Sequence, residues 1–140
     1  MAKYLYNNKY IINFKEIMSL ERDMKGHEEQ MKKLFLDSKV IAYHLDSALS
    51  GGDAATVVLM PDGAFGLYDD YFGTCSGCDS WINAGDEKAK YLCKAIASNA
   101  KFFSSLEDIV EYLDEEINNS VHNWPKEIKM QILKYLEERK

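Results

Sequence analysis

Thr56-Val-Val-Leu-Met-Pro-Asp-Gly-Ala-Phe-Gly-Leu-Tyr68 decides how this chain folds. Its flanks, Thr56–Met60 and Ala64–Tyr68, are rich in β-branched and aromatic residues. Between them, Pro61-Asp62-Gly63 has the chemistry of a turn, with a preset φ at Pro and a residue tolerant of positive φ at Gly. The segment reads as a β-hairpin. Upstream, Val40-Ile-Ala-Tyr-His-Leu45 reads as a further strand and Ser50-Gly-Gly-Asp53 as a turn. Near the N-terminus, Lys3–Tyr6 and Lys9–Ile12 flank Asn7-Asn8, and Asn accepts the left-handed conformation that a short hairpin needs.

Helical periodicity fills the remainder. Asn13 with Glu16 three residues on resembles a capping box and opens a long helix to about Asp37, with Ile17, Leu20, Met24, Met31 and Leu34 on one face. His27 falls on that stripe, where a core histidine is the ordinary reading. Asp86 or Asn83 caps a helix that buries Ala89, Cys93, Ile96 and Ala97. Ser104 or Ser105 starts another, carrying Leu106, Ile109, Val110, Leu113 and Ile117. Pro125 suits the first turn of a last helix lined by Ile128, Ile132, Tyr135 and Leu136. This order of elements predicts one α+β domain over residues 1–140, a small antiparallel sheet packed with about four helices.

Composition limits the function. The 140 residues are 46% hydrophobic and 29% charged, the balance of a folded domain. No apolar run approaches the roughly 18 residues that span a bilayer, and the first residues lack a secretory signal's apolar core. A soluble, intracellular protein is expected. Its net charge is −6, and the distribution of that charge is uneven. Val40 to Glu87 contains no Lys or Arg but eight acids, and Phe102 to Pro125 contains none but six acids. Surfaces built from such runs repel phosphate, which excludes direct nucleic-acid binding through them and favours a basic partner surface.

Beyond the hairpin lies Asp69-Asp-Tyr-Phe-Gly-Thr-Cys-Ser-Gly-Cys-Asp-Ser-Trp81. Its Cys75-Ser-Gly-Cys78 spacing lets two thiolates grip one metal ion, and zinc takes four such ligands in a tetrahedron. Cys93 supplies a natural third. The expected fourth is His44, with His27, His122 and Asp79 as alternatives. The rival reading is an enzyme, either a thiol–disulfide redox catalyst or a metal-dependent one. Asp69, Asp70 and Asp79 oppose the redox form, since neighbouring negative charge raises a thiol's pKa. Asp69 and Asp70 are adjacent in a strand-like run and so face opposite ways. Tyr68, Tyr71, Phe72 and Trp81 offer a binding platform, of which about half is expected to pack as core.

Tyr71-Phe-Gly-Thr-Cys-Ser-Gly-Cys-Asp79 resembles a Tyr-aromatic-Gly-Ser/Thr-Cys-Ser-x-Cys-Asp pattern of small proteins encoded by phages and mobile elements, over under a tenth of the chain. The resemblance implies a phage or prophage setting, in the cytoplasm of a bacterial host. Small acidic proteins of that setting include anti-CRISPR proteins, which bind host effector nucleases and in some cases block nucleic-acid loading. The expectation is therefore a non-enzymatic inhibitor with a structural zinc site on Cys75, Cys78, Cys93 and His44, whose acidic surface meets a basic host protein such as a CRISPR effector nuclease.

Overall fold

A computed structural model describes residues 4–6, 9–20, 24–46, 51–73, 80–81 and 84–140. The fold is mixed α+β. β1 (Tyr4–Tyr6) and β2 (Tyr10–Ile12) form the expected N-terminal hairpin. A four-stranded antiparallel sheet runs in the order β3 (Lys39–Leu45), β4 (Gly51–Leu59), β5 (Phe65–Gly73), β6 (Lys101–Phe103).

The central hairpin is the β4–β5 pair, in register from Gly51↔Gly73 to Leu59↔Phe65. Gly63 carries its turn at φ +90, where a side chain would be strained. Asp62 reinforces the turn by accepting from the Ala64 N–H at 3.0 Å. β5 continues well past Tyr68, so Asp69-Asp70-Tyr71-Phe72-Gly73 is strand. β4 likewise begins at Gly51, which places the expected turn residues Gly51 to Asp53 in the ladder. β6 is a strand that local pattern does not announce. Its three residues pair with β5 where Gly66 faces Phe102, and a Cβ on Gly66 would stand 3.1 Å from that ring.

The long helix expected from Asn13 to about Asp37 is instead two helices, α1 (Phe14–Met18) and α2 (Met24–Lys32). Ser19 closes α1: its hydroxyl donates to the Glu16 carbonyl at 2.6 Å, and the Ser19 and Leu20 N–H groups bond carbonyls three residues back. That tighter pattern ends a helix. Asn13 does not make the expected cap either, because its Nδ2 donates to the Glu16 carboxylate at 2.7 Å rather than its oxygen accepting from the backbone.

The remaining helices follow their patterns. α3 (Asp86–Asn99) has Gly85 at its N-cap and no side-chain cap there, so the expected cap Asp86 is instead its first helical residue, while Asn83 lies outside the described residues. α4 (Leu106–Asn119) is capped by Ser105, whose hydroxyl accepts from the Asp108 N–H at 3.1 Å. α5 (Trp124–Glu138) carries Pro125 in its first turn. The cap of α5 comes from far away in sequence, since Asp46 Oδ2 accepts from the Asn123 and Trp124 N–H groups at 2.8 and 2.9 Å.

Side-chain alternation divides the core into two clusters. Ala54, Val58 and Tyr68 belong to a cluster with Ile17, Met31, Cys93 and Ile96, under α1, α2 and α3. Ala55, Val57 and Leu67 belong to another with Leu106, Ile109, Leu113, Ile128 and Ile132, under α4 and α5. Each fully buried Leu or Ile contributes about 1.5–3 kcal/mol, so both helix layers are held chiefly by such contacts. No helix among the described residues is long and apolar enough to cross a membrane.

Candidate functional site

Alternation along β5 sends Asp69 to the α4/α5 side of the sheet and Asp70 to the other, as adjacent strand residues must be. Each carboxylate anchors a different constellation. Of the neighbouring aromatics, Tyr68, Phe72 and Trp81 are buried and Tyr71 is exposed, so most of the expected platform is core.

On the α4/α5 side, the strand ends and the segment before α5 converge. Asp53, across the ladder from Tyr71, meets His122 Nε2 at 2.9 Å. His44 Nε2 lies 3.2 Å from Asp46, the residue that caps α5. Next to this corner is a pocket of about 240 Å³, whose walls include Asp69, Lys101, Tyr112, Glu116, His122 and Trp124. Tyr112 and Glu116 sit one helical turn apart on α4. Trp124 is 9% exposed, and its indole N–H has no hydrogen-bond partner.

The pocket's lining mixes charges, Asp69 and Glu116 with Lys101 and His122. Loss of hydration, then the like charges of Asp53 and Asp70, raise the Asp69 carboxyl pKa above its ordinary value, while His122 and Lys101 oppose the rise. Burial and then the charges of Glu116 and Asp69 raise the Tyr112 phenol as well. Lys101 Nζ stands 5.8 Å from the Tyr112 ring centroid, a cation over an aromatic face.

On the opposite side, Trp81 Nε1 donates to Asp70 Oδ2 at 2.8 Å, and His27 Nε2 lies 3.5 Å from the same oxygen. His27 is 4% exposed and packs 5.0 Å from the Phe72 ring centroid, yet neither of its ring nitrogens makes a hydrogen bond. The core histidine read from its helical stripe is thus buried but unsatisfied.

Of the expected zinc ligands, Cys75 and Cys78 lie outside the described residues, as does Asp79. Cys93 is buried in the cluster under α1, α2 and α3. His44 shares the opposite face with Ala42, and its ladder partner is Ala55. Cys93 and His44 are therefore not brought together. His122 is exposed and engaged by Asp53, also on the side away from Cys93. Among the described residues, no three His, Cys, Asp or Glu side chains are grouped to hold a metal ion.

Compared with protein-family models, curated proteins and solved structures, the chain matches none. Its function is accordingly argued from its own residues.

The pocket was not singled out by the sequence, although one signal was present. Period-two alternation puts Asp69 on the same sheet face as Phe65 and Leu67, where it remains exposed beside the pocket. Tyr112, Glu116, His122 and Trp124 gave no comparable signal, because tertiary packing brings them to Asp69.

Proposed function

We propose that the chain is a non-enzymatic binding protein that occupies a basic, nucleic-acid-holding surface of a host protein, as anti-CRISPR proteins do on effector nucleases. The observation that carries this reading is α4. Its six carboxylates, Glu107, Asp108, Glu111, Asp114, Glu115 and Glu116, share the helix with no Lys or Arg, and all but Glu116 are exposed. Asp114 is paired with Lys129 of α5. Beside the others, Phe102, Phe103 and Tyr112 line a shallow groove with Asp108, Glu111 and Glu115. Aromatics set among like charges give a surface both steering field and desolvated contact area.

In the same reading, a structural zinc ion joins Cys75, Cys78 and Cys93, with His27 rather than His44 as the fourth ligand. His27 supports this because it lies buried on the Cys93 side of the sheet with neither ring nitrogen hydrogen-bonded. Asp70, 3.5 Å from Nε2, is placed to orient the imidazole, as carboxylates behind zinc ligands do. Zinc there would supply folding energy rather than reactivity.

Pull-down from a bacterial host lysate tests the partner. The intact chain should retain a nucleic-acid-binding protein. Joint neutralisation of Glu107, Asp108, Glu111 and Glu115 to their amides should release it. Retention unaffected by those changes would overturn electrostatic occupation.

A further inference from the structure

We propose that α5 is a self-association surface, on which the outer stripe Lys126, Met130, Leu133 and Glu137 pairs antiparallel with the same stripe of a second copy of this chain. The pairing uses a face of α5 apart from the α4 carboxylates and does not depend on the host protein proposed above.

Spacing gives the stripe. Its residues step by four, three and four, the a/d seam of a coiled coil. The seam points away from the core, since α5 buries Trp124, Pro125, Ile128 and Ile132 on its opposite side. All four stripe residues are exposed, and the two at its centre are large and apolar, Met130 at 57% and Leu133 at 46%. With half-buried Ile117 of α4, Met130 and Leu133 line a groove beside the seam.

Charge selects the occupant. A two-fold axis midway between Met130 and Leu133 sets Met130 opposite the second copy's Leu133, and Lys126 opposite the second copy's Glu137, and the reverse. In the flanking positions, Glu127 comes beside the second copy's Lys134. None of Lys126, Glu127, Lys134 and Glu137 has an ion pair among the described residues. A parallel pair would set Lys126 against Lys126 and Glu137 against Glu137, so the charges specify the antiparallel one. The same two charges also oppose α5's own dipole, with Lys126 in the first turn and Glu137 in the last. They gain nothing from the isolated helix. A second copy gives each its opposite.

The test is sedimentation equilibrium of the full chain over a concentration series. Two apolar residues per seam make a small interface of the transient class, so the weight-average mass should climb from one chain towards two as concentration rises. Leu133→Asp should weaken association by at least about tenfold. Lys126→Glu sets acid against acid and Glu137→Lys sets amine against amine, and each alone should weaken association by about tenfold. Both positions are exposed, and circular dichroism checks that the helices persist. Mixing these two single variants should restore association, because the mixed pair sets two acids against two lysines. One-chain mass at every soluble concentration would overturn the proposal and leave the stripe to a partner of another sequence. A dimer indifferent to Leu133→Asp and to both charge changes would place self-association elsewhere, and a mixture no tighter than its components would refute the antiparallel register.

Discussion

The side-chain amide of Gln131 closes both outward-facing backbone groups of Tyr43, accepting from its N–H at 3.0 Å and donating to its carbonyl at 2.9 Å. Tyr43 lies in β3, the edge strand, so a single α5 side chain imitates the next strand at that point. Edge strands left open are templates for association. Gln131→Ala should cost about 1–3 kcal/mol by leaving two half-buried polar groups unpaired. Urea unfolding measures the loss, and light scattering should detect more self-association than in the parent. A variant as stable as the parent and no more associated would show that water replaces the amide.

Asp46 joins the end of β3 to the start of α5. Its carboxylate takes two N–H groups of the helix terminus and faces His44. Helix N-termini favour negative charge as well as an acceptor. Asp46→Ala should therefore destabilise the fold by about 1–2 kcal/mol. Asn123→Ala should cost less, since Asn123 makes no side-chain cap bond. Paired denaturation curves rank the two, and the reverse order would contradict this account of the corner.

The helical half of the fold was largely legible in the sequence. Ser105 and Pro125 mark the starts of α4 and α5 by local chemistry, and their apolar stripes name the buried face. What escaped was set by distant partners. Lys101-Phe102-Phe103 is a strand because β5 offers it a ladder, with Gly66 making room for the Phe102 ring. The apolar stripe of residues 13–37 continues through the break between α1 and α2, so periodicity alone reads one helix where Ser19 ends the first. The candidate site was less legible. Aspartates 69 and 70 were correctly read as facing opposite ways, but neither the Asp53–His122 pair nor the Tyr112–Glu116 wall has a sequence spacing that signals convergence. The cysteine pair that dominates the sequence is outside the described residues, and only Cys93 of the three has a described place.

Asp69 links stability to pH. Its carboxyl pKa is raised in the folded protein, so the fold binds that proton more tightly than the unfolded chain does. The contribution to stability is greatest at low pH and is lost as pH rises through the ordinary carboxylate value towards the raised one. Asp69→Asn should consequently raise the Tm by about 1–2 °C at neutral pH, by removing a carboxylate whose charged form is disfavoured first by lost hydration and then by its like-charged neighbours. The gain should vanish near pH 3, where the wild-type carboxyl is already protonated. Scanning calorimetry across that range checks the sign, and a variant less stable at neutral pH would contradict it.

The zinc reading makes a separate forecast. Protein purified without added metal should hold about one equivalent of zinc, and chelation should lower its stability. Cys93→Ser and His27→Ala should each reduce the metal content, whereas His44→Ala should not. Elemental analysis decides the matter: metal-free wild-type protein of unchanged stability removes zinc from the account, and dependence on His44 would refute the choice of His27.

The central claim, that α4 covers a surface where a host protein holds nucleic acid, is tested most directly by competition. The captured host protein is mixed with labelled nucleic acid and increasing amounts of this chain, and the bound label is measured. The account predicts displacement that is complete at saturation, that weakens as salt is raised, and that is abolished when Glu107, Asp108, Glu111 and Glu115 are neutralised. Nucleic acid that stays bound while the intact chain saturates its partner would contradict it.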